Sequence, residues 1–535
     1  MHQITILLAT TLIALWTAVT TAQEIDAQTA LKVAAEKMGI ENLQTIEYSG
    51  GGFSSRIGQQ YSVNGGWPTY QVINYTRSID FDTGWSREDY TQQQGDYPLF
   101  GRTPMVPTAV TAIVHGAYAW DIRNGEPVAL TRPYLDGVAF NELRQLEIAI
   151  TPHGFLKAAL ESDNATAISL PIIGASDFGV SQFGRRVTIV SFTFLDKYKI
   201  NGTITDENLV ELVGTWIPNP VYGDMDYEMR YTAYENYDGV MFPMQIHTHQ
   251  ADPRLNPAHN YFQYDITDVK VNAAITTMPV PNVIREAVKP PAQVETEKLA
   301  DGVWRLAGGS HHSLLVEFRD YVAVVEAPQN EERSLAVIEE VGRLVPNKPI
   351  QYVINTHHHF DHAGGLRTYL SQGTTIVTHE SNKQYYLDIL FHPGSRTLQP
   401  DRMSKYNPMY WISRRPAPIE TVDGDVRRTG KYVVTDGEQI LEIIRVQDMA
   451  YELGDRSLNQ GIHSEDMLIA YLPKEGILVN ADLFSPRGQL PAEPTVGMRT
   501  LNENIKKLRL NVERHVPIHG GMVTHEEFLS VIEGS

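Results

Sequence analysis

The stretch Thr356-His357-His358-His359-Phe360-Asp361-His362-Ala363-Gly364-Gly365 constrains this chain more than any other. Four histidines and an aspartate stand between an apolar strand-like run, Ile350 to Ile354, and a helical pattern that begins near Gly364. Residues leaving a strand alternate sides, so His357 and His359 can face one point while His358 faces away. Asp361 and His362 then fall at the turn into the helix and can address a second point close by. Gly364 and Gly365 let the backbone turn tightly and pack closely there. Imidazole and carboxylate are the expected donors for zinc, and a catalytic zinc keeps one position open. The chain has no cysteine, which excludes disulfides, a thiolate nucleophile and thiolate metal ligands. Any metal is held by nitrogen and oxygen, which suits zinc, manganese or iron.

The chain on either side of this motif divides into two textures. From Tyr48 to about Ile275, short runs rich in Tyr, Val, Ile and Thr alternate with Gly, Asn, Asp and Pro. Tyr70 to Ser78, Val187 to Leu195, Leu209 to Ile217, Met229 to Tyr234 and Phe242 to His249 are such runs, and Asn64-Gly65-Gly66 and Asp238-Gly239 are turn signals. This pattern predicts an antiparallel sheet, with one helix before it over Asp26 to Met38 and another inside it over Asn141 to Glu161. Met278 to Val294 carries Pro279, Pro281, Pro290 and Pro291 and reads as a linker. Beyond it, strands over Val303 to Leu306, Leu314 to Phe318, Tyr321 to Val325, Ile350 to Ile354 and Thr375 to Thr378 alternate with helices over Arg333 to Leu344 and Gly364 to Ser371. That alternation predicts layered α/β structure. A length of 535 residues exceeds one ordinary domain. The expectation is an α+β two-domain chain, with a β-rich N-terminal domain over 23–278, a Pro-rich linker over 279–297 and a catalytic domain over 298–535.

Residues 1–22 are expected to be a signal peptide. Ile4 to Val19 is apolar, and Ala22 is a small residue before Gln23. The run is short of the ~20 residues a spanning helix needs. The mature protein is expected to be exported, periplasmic or secreted, with no stable membrane insertion after cleavage. A net charge of −20 argues against a nucleic-acid partner, because phosphate binding needs basic patches.

Further motifs follow the first in order. Gly461-Ile462-His463-Ser464 precedes an apolar run from Met467 to Tyr471. Ile477 to Ala481 is a buried-strand pattern that ends on Asp482, and Pro517-Ile518-His519-Gly520-Gly521 closes the series. With T-H-x-H-x-D-H, this order resembles the metallo-β-lactamase superfamily over roughly residues 298–535. The resemblance implies an αββα fold. It also implies that His357, His359 and His463 bind one zinc, that Asp361, His362 and His519 bind a second, and that Asp482 bridges both. A hydroxide between the two metals would be the nucleophile, and Asp361 would act catalytically by passing a proton to the leaving group. Iron or manganese can replace zinc in such a donor set. One departure is Val324-Val325-Glu326, where the family has aspartate; Glu326 is expected to hold the metal loop from behind.

Family members that share the His-rich motif but hydrolyse β-lactams lack the bridging aspartate. Asp482 makes the chain similar instead to the branch that includes glyoxalase II and lactonases. The implied substrate is a small ester, thioester, lactone or related acyl compound. The alternatives on the same fold are a mononuclear iron persulfide dioxygenase-like oxidoreductase, or a hydrolase of β-lactams or phosphodiesters. Around the site, His311 and His312 in the Gly308-Gly309-Ser310 loop, and His379, are candidates for contact with substrate or ligands. His247 and His249 are expected to be solvated strand residues. The long segment Phe391 to Pro418, with Tyr410 and Trp411, is a candidate substrate loop.

Overall fold

Val322, Ala323, Val324 and Val325 are all buried, yet they serve two interiors. Successive side chains of a strand point to opposite faces. Val322 and Val324 therefore join one apolar cluster, while Ala323 and Val325 join another. A strand apolar on both faces belongs inside a layered structure. The computed structural model describes residues 22–100, 104–171, 186–251, 260–391, 396–406, 417–424, 430–448 and 462–534, and it contains that arrangement.

Seven strands form the first C-terminal sheet in chain order: Glu295–Ala300, Val303–Ala307, Ser313–Glu317, Val322–Val325, Ile350–Ile354, Thr375–His379 and Ile419–Val422. The last four run parallel to one another. Six strands form the second sheet: Lys431–Thr435, Ile440–Arg445, Leu468–Leu472, Ile477–Asn480, Arg514–Pro517 and Val523–Thr524. Within it, Ile477–Asn480 and Arg514–Pro517 are parallel. The inner faces of both sheets meet in one cluster, to which the helices Val496–Leu508 and His525–Glu533 add Met498, Leu501 and Phe528. The helices Glu331–Leu344, Leu366–Leu370 and Asn382–Leu390 pack with the outer face of the first sheet. The layer order is helix, sheet, sheet, helix, as expected.

The N-terminal region is a 14-stranded sheet whose paired strands are all antiparallel. Asn260–Val271 returns to pair with Thr45–Ser55, which joins the later strands to the earlier ones. Ala27–Met38 starts at Asp26, whose carboxylate accepts from Thr29 N at 2.8 Å. The helix expected over Asn141 to Glu161 is two helices, Phe140–Ala149 and Pro152–Glu161. Pro152 lacks the N–H that a continuous helix needs, and Thr151 caps the second helix by accepting from Gly154 N at 3.1 Å. Asp238-Gly239 turns a hairpin with both residues at positive φ. Asn64-Gly65-Gly66 instead lies within the long loop 56–68 between two strands.

The Pro-rich stretch is docked along its length. It contains a short helix, Asn282–Arg285, and buries Ile284 with Trp85, Ile113 and Trp120. The largest apolar cluster also spans both regions, running from Leu31, Tyr75 and Tyr231 to Val337, Phe360 and Leu390. At the seam, Tyr222 packs edge-on against Phe360 and Tyr385, and the Arg396 guanidinium donates to the carbonyls of Asn219 and Val221. Among the described residues, no helix is long and apolar enough to cross a membrane. Residues 1–21, Tyr410 and Trp411 lie outside the described residues.

Candidate metal centre

Parallel strands deliver their carboxyl ends to one edge of a sheet, where α/β proteins commonly bind ligands. Val322–Val325 ends at Glu326, Ile350–Ile354 leads to His357, Ile477–Asn480 leads to Asp482 and Arg514–Pro517 leads to His519. Leu468 N donates to Thr356 O at 2.8 Å and ties the two sheets together at this edge. The seven residues singled out by the motifs come together here. His357, His359, His463 and Asp482 form one group, and Asp361, His362 and His519 form a second together with His311; within each group the ligand atoms lie within 4.8 Å of one another.

Asp482 faces both groups. Its Oδ2 lies 2.9 Å from His463 Nε2 and 3.5 Å from His357 Nε2. Its Oδ1 lies 2.9 Å from His519 Nε2. In the first group, His359 Nδ1 is 3.0 Å from His357 Nε2 and 2.9 Å from His463 Nε2. In the second, His519 Nε2 is 3.2 Å from His362 Nε2, and His311 Nε2 is 3.2 Å from Asp361 Oδ2.

The outer nitrogens decide what these close approaches mean. His359 Nε2 donates to the Gln60 carbonyl, His362 Nδ1 to Glu326 Oε2 and His519 Nδ1 to the Ser310 carbonyl, each at 2.8 Å. A neutral imidazole whose proton is committed outward presents a lone pair inward. With the outer nitrogens so engaged, the inner nitrogens of His362 and His519 are placed to share a cation or, without one, a proton. Zinc with bonds of 2.0–2.1 Å in a tetrahedral shell spaces its donors by roughly 3.3 Å, and the observed 2.9–3.5 Å separations match. The donor set therefore fits a divalent metal.

Electrostatics agree. Burial raises the Asp482 carboxyl, yet the imidazoles of His463 and His362 override it and hold the group well below the usual carboxylate range. Burial lowers His362, but Glu326, Asp482 and Asp361 push it well above its ordinary value. The carboxylates in the centre thus favour positive charge. Burial pushes His311 down to about 4, which keeps its ring neutral and able to serve as a donor.

Glu326 does what its position suggested. It is fully buried, accepts from Thr356 N at 2.7 Å through Oε1 and from His362 through Oε2. Its φ of 76° is unusual for a residue with a side chain and stores strain beside the site. Gly364 and Gly365 have ordinary negative φ. Their role is close packing, because a Cβ would overlap Gln329 O at Gly364 and Ser334 Oγ at Gly365.

His358 faces away, as alternation required. It is bound to the buried carboxylate of Asp466 through Nδ1 at 3.0 Å and its backbone N at 2.8 Å. His312 ties its loop to the Gly520 carbonyl at 3.0 Å, so of the pair only His311 enters the centre. His379 bonds Ser381 Oγ at 2.8 Å and lies outside both groups. His247 and His249 are half-buried, with Nε2 atoms 2.7 Å apart, and also meet Gln263 and Glu228 rather than solvent alone.

The motifs did not reveal the contribution of the N-terminal region. Loop 56–68 threads against the metal loop. Gln59 Nε2 donates to Asp361 Oδ1 at 2.8 Å, and Phe360 N donates to Gly58 O at 3.2 Å. Tyr61 O accepts from Glu465 N and Ser464 Oγ, beside His463. Gly58 has φ of 73°, and a Cβ there would overlap the Phe360 ring. The available signal was the loop's length between two strands, since long loops in compact domains are often functional.

A sequence profile of the metallo-beta-lactamase superfamily matches residues 306–510. No curated protein matches the chain. Among solved structures, the metallo-beta-lactamase from Pontibacter korlensis is 17% identical, with 45% of this chain and 100% of that one covered and a TM-score of 0.29. The FIM-1 metallo-beta-lactamase from Pseudomonas aeruginosa in its mono-zinc form is 18% identical, covering 46% and 96%, with a TM-score of 0.29. The DIM-1 metallo-beta-lactamase is 13% identical, covering 45% and 97%, with a TM-score of 0.31. The profile match and the ordered motifs that fold into this centre make the C-terminal region across residues 306–510 similar to the metallo-beta-lactamase superfamily.

Proposed function

We propose that the chain is an exported two-metal hydrolase of a small ester, thioester, lactone or related acyl compound. The observation that carries this reading is Asp482, whose carboxylate lies within 3.5 Å of imidazoles from both groups, His463 and His357 on one side and His362 and His519 on the other. His357, His359 and His463 would hold the first metal and Asp361, His362 and His519 the second, with Asp482 shared and His311 beside the second. Zinc fits this donor set, and iron or manganese is compatible with it. When bound, the metal pair supplies Lewis acidity and brings the pKa of water toward neutrality.

The chain's own residues do the rest. Glu326, Gln60 and Ser310 fix the rings from outside, so the donor atoms are preorganised. Gln59 holds Asp361 Oδ1 and leaves Oδ2 toward the centre, where it can accept a proton and return it to a leaving group.

Elemental analysis of purified protein, read beside hydrolysis of aryl esters and lactones, tests the proposal. About two zinc ions per chain with turnover is the expected result. One iron and no zinc would replace it with the dioxygenase-like reading. We also assign residues 1–22 to an export signal, 23–278 and 298–535 to two domains and 279–297 to their connection. The export assignment fails if intact Met1 is found by mass spectrometry in soluble cytoplasmic protein.

A further inference from the structure

A cleft of about 640 Å³ leads from the surface to Asp361, His463, Asp482 and His519. Among the described residues, Asp361 and Asp482 are its only acidic lining residues, and both belong to the candidate metal centre. Three arginines share the walls: Arg56, Arg132 and Arg487. The whole chain has 64 acidic against 44 Lys and Arg residues, so this cleft inverts the sign of the molecule around it.

The three guanidinium groups differ in what they hold. Arg132 forms a two-pronged ion pair with Asp136. Arg56 and Arg487 are exposed and, among the described residues, have no ion pair or side-chain hydrogen bond. They are not needed to neutralise the centre, because two divalent ions would already outweigh the carboxylates of Asp361 and Asp482. Uncommitted positive charge in a concave, partly apolar wall focuses its field on an incoming anion. The guanidinium fork matches a carboxylate in geometry. Tyr70, Leu99 and Met105 add apolar wall to the same cleft, and the volume suits a molecule of ordinary ligand size.

We propose that the substrate is an anionic amphiphile: a carboxylate held by Arg56 and Arg487, an apolar body along Tyr70, Leu99 and Met105, and the scissile acyl group at the metal centre. This rests on the hydrolase reading above. Arg56 belongs to the N-terminal region, so that region selects the substrate as well as bracing the site.

The test uses zinc-loaded full-length protein with two esters, mono-4-nitrophenyl glutarate and neutral 4-nitrophenyl pentanoate. Wild type is expected to prefer the glutarate ester in kcat/KM by about tenfold or more, which corresponds to one guanidinium–carboxylate contact of about 1.4 kcal/mol. Arg56→Gln with Arg487→Gln should abolish that ratio through KM, while Arg319→Gln, outside the cleft, should keep it. Equal use of both esters by wild type, or a ratio that survives the double substitution, overturns the proposal. Calorimetric titration with 4-phenylbutyrate separates this from a failure of the hydrolase reading. If neither ester turns over, binding that is lost in the double variant still supports the anion site, and binding equal in both proteins sinks it.

Discussion

The two donor groups are built from the same side chains but braced from different places. The first group leans on the N-terminal region: His359 is held by the Gln60 carbonyl, and the residues next to His463 are held by the Tyr61 carbonyl. The rings of the second group are braced within their own region, by Glu326 and Ser310, while Gln59 reaches across to Asp361 and Gly58 O to the neighbouring Phe360 N. One group of donors is therefore assembled by the packing of two regions, and the other largely by a single one. Affinity at the two positions should separate when the bracing is disturbed from one side.

Asp482→Ala attacks what the two groups share and should have the largest effect. Hydrolysis should fall by more than about 100-fold, beyond the roughly 10–100-fold usual for a residue behind a ligand. Both metal positions should weaken together in a stepwise titration. His358→Ala, which alters a side chain turned toward Asp466, should leave the stoichiometry at two. Equal damage from both changes would remove Asp482 from its shared role.

A pair of substitutions tests the asymmetry directly. Gly58→Val forces a branched side chain into the Phe360 ring at positive φ and should push loop 56–68 off the first group. Glu326→Gln removes the charge behind His362. Each should cost about 10–100-fold in metal affinity, the first at the His357–His359–His463 position and the second at the His362–His519 position. If both substitutions weaken the same position, the comparison fails. Gln59→Ala should be milder: about tenfold in kcat with both metals retained, because it frees Asp361 Oδ1 without touching a ring.

A last expected effect leaves the centre untouched: it is on acid stability and concerns the bracing region itself. His153 is buried, stacks on Phe242, donates to the Met241 carbonyl at 2.9 Å and is pushed down by burial to about 4. Unfolded, it takes up a proton near pH 6.5, whereas folded it stays neutral until about 4. Stability is then full above pH 6.5 and declines toward pH 4, by a total of about 3 kcal/mol. His153→Gln should flatten this limb in urea titrations at a series of pH values. An unchanged slope would show that other groups set it.

Much of the centre was legible because its donors are side chains in short local patterns. His357, His359, Asp361 and His362 lie within one strand-to-helix joint, and Asp482 and His519 each follow an apolar strand run. The alternation that turned His358 away is a property of any strand. Gln60 was illegible for a physical reason: it acts on His359 through its main-chain carbonyl, which every residue has, across 299 positions of chain. The break at Pro152 was readable in principle, since the ring forbids the helix that the apolar spacing favoured. The docked Pro-rich stretch was not, because composition marks a segment as irregular without saying what it touches.

The carbonyl of Gln60 has a consequence for inheritance. A gene segment for the C-terminal region alone, joined to another partner, would leave behind the acceptor that orients one ring of its own metal site. Recombination between codons 278 and 298 would therefore produce chimeras with intact motifs and a misaimed histidine. Such a chimera would keep every residue of the metal signature and lose the carbonyl that aims one of them.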